Sequence, residues 1–309
     1  MRPISGEQRS ILVVTSPEIW SRWGHSFLSS FTAQKVDILP LFVPAGERYK
    51  QLKTVEHLAE QMIAAGAKRD ALLVAFGGGV IGDMTGFLAA IYMRGIRYIQ
   101  VPTTYLSQID SSLGGKTGVN LRVGKNLLGS FHPPIAVFSD PVVLSTLPPQ
   151  ELRAGAVESV KAAVLGDAHF FNWLEDNLDK LLVGEEQALT QAIETSARIK
   201  AEIVSADERE FGQRMLLNLG HTVGHAIEAA THYRSLLHGE AIAWGMIAAL
   251  HLAVARSALT LEDAQRIEQL LFRLGPFRRF RAAAKILLAR TAGDKKHLQT
   301  AHRFVLPVA

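Results

Sequence analysis

Three histidines that lie close together in the chain are the side chains best suited to bind a metal. His221 and His225 occur four positions apart, and His238 follows at the start of a second apolar run. On a helix, the i, i+4 spacing would place the first two imidazoles on one face, about 5–6 Å apart at Cβ. Such a pair is also typical of hydrogen-bonded core or interface residues. A helix starting at His238 could bring its imidazole opposite His221, and a carboxylate would complete a three-ligand site.

Composition restricts both the ligands and the class of protein. The chain has 309 residues, of which 48% are hydrophobic and none is cysteine. A metal would therefore be held by nitrogen and oxygen atoms alone. This length and hydrophobic content predict a globular protein with two domains of ordinary size.

Charge and hydropathy argue against nucleic-acid and membrane partners. The net charge is +4, and the densest basic cluster, around Arg278, has no aromatic platform or nucleic-acid motif beside it. The apolar run 241–255 is too short and too interrupted for a membrane span, so we expect a buried core helix. The first residues lack the apolar segment of a signal peptide, which predicts a cytoplasmic location.

The pattern of apolar residues changes near residue 149. Before it, short β-rich runs alternate with helical stretches, which predicts a parallel α/β sheet. After it, the chain is predicted to be helical nearly throughout, and Pro148 and Pro149 mark a boundary between domains 1–149 and 150–309. The predicted strands of the first domain are Ile11–Val14, Ala71–Phe76, Tyr98–Val101 and Ala136–Phe138, with a helix over Thr54–Ala65. The predicted helices of the second domain are Glu151–Leu165, Phe170–Leu182, Glu186–Val204, Arg214–Thr231, Gly239–Ser257 and Leu261–Leu274, and a β-type run occurs at Arg303–Leu306.

A glycine-rich segment between a predicted strand and a predicted helix could bind phosphate. Gly77–Asp83 follows the strand that ends at Phe76, and the helix is expected to begin near Met84. Such a turn lets backbone amides approach a pyrophosphate at the positive end of a helix. The spacing is not G-x-G-x-x-G, and a tight turn without a ligand is the alternative. Thr103 and Thr104 add hydroxyls after the next strand, which favours a dinucleotide site.

A second glycine-rich segment carries two lysines. Asp110–Asn120 and Gly124–Asn126 read as loop-rich, and Lys116 and Lys125 within them could reach phosphate oxygens as mobile charges. The Gly-Gly-Lys-Thr run is similar to part of a P-loop. The upstream glycine of that motif is missing, because Gln108, Ile109 and Asp110 precede the run, so an NTPase is excluded.

Taken together, these motifs resemble those of the 3-dehydroquinate synthases, a family of sugar phosphate cyclases. The match runs in order from about Val43 to Leu306. The segments that carry it are Gly77–Asp83, Tyr92–Gly95, Gln100–Thr104, Asp110–Asn120, Gly124–Asn126, Gly155–Lys161, Leu217–His221, His238–Ala241 and Asp294–Lys296. The implied fold is an α/β N-terminal nucleotide-binding domain plus an all-α C-terminal domain, usually as a homodimer.

The resemblance also implies a reaction. Members of the family convert 3-deoxy-D-arabino-heptulosonate 7-phosphate to 3-dehydroquinate and phosphate in the shikimate pathway, using NAD catalytically and a divalent Zn²⁺ or Co²⁺. The substrate is oxidised at C5, loses phosphate by β-elimination, is reduced again and closes its ring by an aldol step, so the enzyme is a carbon–oxygen lyase with a hidden redox cycle.

The site residues implied by the resemblance divide into four groups. The metal ligands are Glu158, His221 and His238, so His225 is not a ligand and instead lies beside the substrate, where it could relay a proton. The catalytic residues are Asp110, Lys116, Lys161, Asn218 and His225. The substrate-binding residues are Arg94, expected from the partner subunit, with Lys116, Asn126, Lys200, Arg214 and one of Lys295 or Lys296. The NAD-binding residues are Ala45, Gly46, Glu47, Arg48, Tyr49, Lys50, Gly79, Val80, Ile81, Gly82, Asp83, Thr103, Thr104, Lys116, Lys125, Val143, Leu144, Ser145 and Thr146.

Three other functions are compatible with parts of this pattern. A related cyclase acting on sedoheptulose 7-phosphate or glucose 6-phosphate would share the cofactor and metal. A metal-dependent polyol dehydrogenase would release NADH, and a non-catalytic binding protein would be expected to lose ligands. Asn218, His225 and the run 294–296 favour the dehydroquinate reaction, because a substrate that bears a carboxylate needs the extra cations.

Overall fold

The computed structural model describes residues 11–31, 36–231, 235–291 and 304–308. It divides into two compact units, Met1–Thr146 and Leu147–Ala309.

A four-stranded parallel sheet forms the centre of the first unit. Its strands are β1 (Ile11–Thr15), β2 (Ile38–Phe42), β3 (Leu72–Gly77) and β4 (Arg97–Pro102), in the order β2-β1-β3-β4. The connecting helices are α1 (Pro17–Ser29), α2 (Leu52–Ala64) and α3 (Gly79–Ile91). The predicted parallel α/β sheet is thereby confirmed.

Both faces of the sheet are covered. On one face Leu12 and Leu73 pack with residues of α2 and α3, and on the other Val13 and Val74 pack with aromatic residues of α1. Strands covered on both faces read as continuous apolar runs, as β1 and β3 do in the sequence. The strand order reverses beside β1, and in sheets of this kind ligands bind outside the carboxyl ends of the strands at such a point.

The glycine-rich segment after β3 is helical rather than a separate turn. Helix α3 begins at Gly79, not near Met84 as predicted, because Gly78 already serves as its N-cap residue in an extended conformation. The first amides of α3 therefore belong to the glycine motif itself.

The segment predicted to be loop-rich contains a β-hairpin. Strands β5 (Lys116–Leu121) and β6 (Gly124–Phe131) pair antiparallel, and the preceding residues Ser107–Ser111 form one π-helical turn. The prediction was wrong because the glycines here serve close strand pairing: a Cβ at Gly118 would lie 2.7 Å from the Leu128 carbonyl oxygen.

Two strand predictions also need correction. Ala136–Phe138 contributes a single bridge, between Val137 and Gln100, and no strand. Conversely β2 was not predicted, because Pro40 interrupts its apolar pattern; it is an edge strand, where a missing N–H is tolerated.

The second unit is helical, as predicted. Its helices are α4 (Pro149–Gly166), α5 (Ala168–Leu182), α6 (Glu186–Ala206), α7 (His221–Ala230), α8 (His238–Ala255), α9 (Leu261–Leu274) and α10 (Ala284–Thr291). Helix α4 packs against α5, α6, α8 and α9 and is the central helix of this unit. Residues 304–308 have no regular structure, so the β-type pattern of Arg303–Leu306 does not form a strand within the described residues.

The single helix predicted over Arg214–Thr231 is broken. Gln213–Asn218 form a short 3₁₀ helix, and Gly220 adopts a left-handed conformation (φ +77°) before α7 begins at His221. A left-handed residue cannot continue a helix, and glycine adopts it without strain. The break places His221 at a helix terminus.

Helix α8 is a long apolar helix of the second unit. Its 18 residues, His238–Ala255, are long and apolar enough to cross a membrane, contrary to the prediction from the run 241–255, but 61% of the segment is buried inside the protein. It packs against α4, α7 and α9. Helix α8 is therefore a buried core helix, as predicted.

Two glycines of α8 allow its backbone to touch neighbouring segments. A Cβ at Gly239 would overlap the carbonyl oxygen of Ala154 on α4, and a Cβ at Gly245 would overlap that of Gly220, the cap of α7. Since both obstacles are backbone atoms, no side-chain movement could relieve the overlap. These contacts set the spacing of α4, α7 and α8.

We expect Gly245→Ala to push α7 and α8 apart and to destabilise the protein. Overpacking a tight contact costs about 1–3 kcal/mol, and the overlap with backbone points to the upper part of that range. The free energy of unfolding in urea is the measurement. Gly166→Ala is the matched control, because a Cβ there meets nothing within 4 Å. Equal stability of the two variants would contradict this account of the packing.

Candidate functional site

Three helices of the second unit bring one carboxylate and two imidazoles together. Glu158 lies within α4, while His221 and His238 are the first residues of α7 and α8. Glu158 Oε1 is 3.8 Å from His221 Nε2 and 3.9 Å from His238 Nε2. One ligand atom from each residue lies within 4.8 Å of the other two.

The chemistry of this donor set fits a divalent metal such as Zn²⁺. Donors bound at about 2.0–2.2 Å around a tetrahedral ion lie roughly 3.3–3.6 Å from one another, slightly less than the separations found here. Glu158 is 2% exposed, and apart from an ion pair with Lys161 neither of its oxygens has a hydrogen-bonding partner among the described residues. A buried carboxylate with unused acceptors is suited to coordinate a cation.

The protonation of His221 also suits coordination. Its Nδ1 lies 3.2 Å from the carbonyl oxygen of Leu219, so the donor nitrogen is used there and the lone pair of Nε2 faces Glu158. Burial, followed by the nearby charge of Lys161, holds the pKa of His221 well below its ordinary value. The imidazole is therefore neutral near pH 7, which is the form that binds metals.

The third histidine of the sequence cluster joins the same group of rings. The His225 ring centroid is 5.2 Å from that of His221 and 6.1 Å from that of His238. His225 also lies near Glu228 and His238 in a second set of possible ligands. The i, i+4 pair is thus on one helix face, as the spacing predicts, whereas the imidazoles that face Glu158 are those of His221 and His238.

Several cations and amides of the second unit were also expected to bind substrate. Lys161, on α4, donates a hydrogen bond to the Leu217 carbonyl oxygen at 3.0 Å. Lys200 on α6 and Arg214 in the 3₁₀ helix are buried, although basic residues normally are not, and α6 packs against that 3₁₀ helix. Asn218 donates to Glu210 Oε1 at 2.9 Å and to the Met215 carbonyl oxygen at 3.0 Å.

The loop before Arg214 is held in place by hydrogen bonds to the side chain of Asp207. The Asp207 carboxylate accepts hydrogen bonds from the amides of Phe211 (3.1 Å), Gly212 (2.7 Å) and Arg214 (3.1 Å). Arg214 in turn donates from Nη1 to the Glu208 carbonyl oxygen at 2.5 Å. Burial acts to raise the pKa of Asp207, but these amides outweigh it and hold the pKa below its usual value.

The glycine motif of the first unit forms a close approach suited to phosphate. A Cβ at Gly78 would lie 2.9 Å from Thr104 Cγ2, and a Cβ at Gly79 would lie 2.8 Å from Ser111 Oγ. No side chain among the described residues caps the N-terminus of α3. The first backbone N–H groups of α3 lie at the positive end of the helix dipole, which is suited to bind the pyrophosphate of a dinucleotide.

A polar network joins residues expected to bind NAD with one expected to bind substrate. Lys50 Nζ contacts both Asp83 Oδ2 and Asn126 Oδ1 at 2.5 Å, and Lys50 is 4% exposed. Asn120 links the network to Glu47, since its Nδ2 donates to Glu47 Oε1 at 2.7 Å and its Oδ1 accepts from the Asn126 amide. The structure therefore brings Glu47, Lys50, Asp83 and Asn126 together.

The remaining predicted residues of the first unit lie around the ends of the strands and the hairpin. Val143–Thr146 belong to a 3₁₀ segment that is tied to α1 by a hydrogen bond from Trp23 to Thr146 Oγ1 at 3.1 Å. Thr103 and Thr104 follow β4, Asp110 lies in the π-helical turn, and Lys116 and Lys125 are on the hairpin. Arg94 is exposed and has a positive φ of 69°. Lys295 and Lys296 lie outside the described residues.

Three acidic residues near the site were not singled out from the sequence. Asp207 and Glu210 lie in a loop, where single acidic residues carry no pattern. Glu228 could have been found, because it lies seven positions after His221 and three after His225, on the same helix face.

Comparison with known proteins identifies relatives along nearly the whole chain. Residues 40–154 match the family model described as 3-dehydroquinate synthase N-terminal, and residues 155–297 match the one described as 3-dehydroquinate synthase C-terminal. The 3-dehydroquinate synthase of Solibacter usitatus is 46% identical over 299 residues, covering 96% of this chain and 83% of that protein.

Two solved structures of similar fold are synthases with NAD⁺ and a divalent metal bound. The 2-epi-5-epi-valiolone synthase of Streptomyces hygroscopicus subsp. jinggangensis, with NAD⁺ and Zn²⁺ bound, has a TM-score of 0.89 and 30% identity, covering 97% of this chain and 84% of that one. A 2-deoxy-scyllo-inosose synthase complexed with carbaglucose-6-phosphate, NAD⁺ and Co²⁺ has a TM-score of 0.86 and 32% identity, with coverage of 94% and 81%.

We expect Glu158→Gln to lose tight metal binding while remaining folded. The amide keeps the volume of the side chain but removes the charge that a divalent cation needs. Competition with a chromophoric chelator would measure Zn²⁺ affinity. Glu151→Gln, on the same helix and outside the donor group, should bind normally. Unchanged affinity in Glu158→Gln would contradict the assignment of this carboxylate.

Stability below neutral pH should depend on Asp207. Because the pKa of Asp207 is lowered in the folded protein, its contribution is present above the ordinary carboxyl pKa and is lost as pH falls through the folded-state value. Asp207→Asn should therefore be less stable at pH 7 and lose less stability between about pH 5 and pH 2. Urea unfolding at each pH tests this, with the exposed Asp179→Asn as control. Parallel pH curves for wild type and Asp207→Asn would contradict it.

Proposed function

The chain belongs to the 3-dehydroquinate synthase family, and we propose that the residues described above convert 3-deoxy-D-arabino-heptulosonate 7-phosphate to 3-dehydroquinate and phosphate. The enzyme is a carbon–oxygen lyase of the shikimate pathway. The observation that carries the residue assignment is the convergence of Glu158, His221 and His238 from three helices, with the carboxylate buried and both Nε2 atoms facing it.

In this proposal those three side chains hold Zn²⁺ or Co²⁺. The chemistry supplied by the metal is Lewis-acid polarisation of substrate hydroxyl oxygens. The neutral state of His221 and the negative charge of Glu158 leave a site with the charge that a divalent cation requires. Lys161 contacts Glu158 and donates a hydrogen bond to the Leu217 carbonyl oxygen, so its ammonium group would lie beside the metal-bound substrate. There it would stabilise negative charge on a substrate oxygen.

The buried cations of the second unit would bind the substrate carboxylate. Arg214 offers a planar fork that matches a carboxylate in two hydrogen bonds, and its backbone is fixed by Asp207. Lys200 adds a second buried charge. Either Lys295 or Lys296 is proposed to contribute as well, on the basis of family membership alone.

Proton transfer would use His225 and Asn218. His225 belongs to the same cluster of rings as the proposed ligands but is not one of the group around Glu158, and its imidazole would accept or donate the proton. Asn218, fixed by Glu210 and the Met215 carbonyl oxygen, would orient a substrate hydroxyl.

The first unit would bind NAD and the substrate phosphate. The cofactor supplies reversible hydride acceptance. Its pyrophosphate would lie on the amides at the start of α3, and Glu47, Lys50 and Asp83 would contact the rest of the molecule. We propose Lys116 and Asn126 for the phosphate group of the substrate, with Asp110 beside them as a further catalytic group. The network that joins Asn126 to Lys50 supports a common position for the two ligands.

A homodimer in the cytoplasm is part of the same proposal. The support is family membership, together with the exposure of Met93 and Arg94 in a turn whose positive φ values present both side chains outward. In a dimer, Arg94 would complete the phosphate site of the neighbouring subunit.

The related cyclases and the polyol dehydrogenases are the competing functions. Identity is higher to a 3-dehydroquinate synthase (46%) than to the two other cyclases (30% and 32%), which favours the dehydroquinate reaction. The buried Lys200 and Arg214 point the same way, because neither sedoheptulose 7-phosphate nor glucose 6-phosphate has a carboxylate.

Purified protein with NAD⁺ and Co²⁺ or Zn²⁺ should release phosphate from the heptulosonate phosphate. Chelator should abolish the release, and absorbance at 340 nm should not rise stoichiometrically, since reduced cofactor is reoxidised in each turnover. Sedoheptulose 7-phosphate and glucose 6-phosphate serve as matched substrates. Faster release from either one would assign a different cyclase, and accumulation of NADH would assign a dehydrogenase.

A further inference from the structure

The two ring nitrogens of His238 face carboxylates from two different helices. Nε2 lies 3.9 Å from Glu158 Oε1 on α4, and Nδ1 lies 3.5 Å from Glu228 Oε2 on α7. The ring is thereby held from both sides. Only the first contact belongs to the proposed metal centre, so the second needs its own explanation.

Glu228 is buried as deeply as a core residue. It is 5% exposed and lies on α7 four positions after Gly224, whose backbone packs against Ala241 and Ile242 of α8. A buried carboxylate is unfavourable unless hydrogen-bond donors or positive charges compensate it. An Nδ1–H group of His238 is such a donor, and a carboxylate in this position makes the imidazole a stronger base at Nε2.

His221 shows the same arrangement with a different partner. Its Nδ1 faces the carbonyl oxygen of Leu219 at 3.2 Å, and its Nε2 faces Glu158. A neutral imidazole that donates from Nδ1 must present its lone pair at Nε2. In both proposed histidine ligands Nδ1 therefore faces an acceptor oxygen and Nε2 faces Glu158. The acceptor is a backbone carbonyl for His221 and a side-chain carboxylate for His238.

We propose that Glu228 is a positioning residue of the metal centre, which accepts a hydrogen bond from the Nδ1–H group of His238 and so fixes the direction and tautomer of that ligand. This inference rests on the proposed function, because the ligands are those assigned there. The alternative is a second metal site formed by His225, Glu228 and His238. A neutral imidazole has one lone pair on nitrogen, so His238 cannot serve both groups at once. The first group is favoured because the Nε2 atoms of both His221 and His238 face the same Glu158 oxygen.

Metal affinity of substituted proteins tests the proposal without any assay of catalysis. Loss of a carboxylate behind a histidine ligand typically weakens metal binding 10–100-fold. We expect this loss of Zn²⁺ affinity in Glu228→Ala, measured by chelator competition. Glu228→Gln, which retains one acceptor oxygen, should show a smaller loss. The bound Co²⁺ absorption spectrum should change in Glu228→Ala, as expected for a displaced ligand.

The chain offers a matched control on the same helix. His251 of α8 lies 3.6 Å, Nε2 to Oε1, from Glu268 of α9, and this pair is outside both groups of possible ligands. Glu268→Gln removes a carboxylate from an α8 histidine in the same way. It should leave Zn²⁺ affinity and the Co²⁺ spectrum unchanged.

A second measurement does not depend on how the variants fold. Nitrogen-15 chemical shifts of the His238 ring in metal-free wild-type protein report which nitrogen carries the proton. We expect Nδ1–H in the wild type and a mixture of tautomers in Glu228→Ala. An Nε2–H tautomer in the wild type would overturn the proposal.

The amount of Zn²⁺ bound distinguishes a failure of this inference from a failure of the proposed function. If wild-type protein binds no Zn²⁺, the metal centre itself is wrong. If it binds one equivalent and Glu228→Ala binds equally well, only the role of Glu228 is wrong. One equivalent in the wild type that is retained in Glu158→Gln and lost in Glu228→Gln would instead assign Glu228 as a ligand of the second group.

Discussion

The close approach of three helix backbones is the constraint on which the second unit depends. At Gly239 and Gly245, α8 lies directly against backbone carbonyls of α4 and of the α7 cap. Any side chain at these positions would move the helices apart by more than the tolerance of a metal site, which is about 0.5 Å. Because Glu158, His221 and His238 each come from a different one of these helices, their separation is set by contacts that contain no functional atom.

The positions of the histidines within their helices reinforce this geometry. His221 and His238 are both the first residues of helices, where the aligned peptide dipoles disfavour an additional positive charge. Burial and Lys161 act on His221 in the same direction. The fold therefore places one carboxylate beside the neutral ring of His221, with the positive charge of Lys161 in contact with that carboxylate.

Much of this architecture could be predicted from the sequence, and the failures have physical causes. Short β-rich apolar runs identified β1, β3 and β4, and the helical pattern of the remaining stretches identified most of the helices. The helix predicted across Gly220 was wrong, because a pattern of side chains does not reveal a left-handed backbone. The hairpin that contains Gly118 was missed, since its glycines resemble loop residues until the facing strand is known. Glu158 was found by resemblance alone; on an isolated helix it is indistinguishable from a solvent-facing glutamate.

The loop that carries Arg214 determines how this side chain would meet an anion. Free arginine side chains have about 2 kcal/mol of rotamer entropy, much of which is lost when the guanidinium is fixed. Here the Glu208 carbonyl oxygen and the Asp207 carboxylate restrict the side chain and its backbone during folding. An arriving carboxylate would meet a guanidinium that is already ordered, so less disorder remains to be lost on association. The affinity of Arg214 for a carboxylate would then depend more on electrostatic complementarity than on the entropic cost of immobilising the arginine side chain.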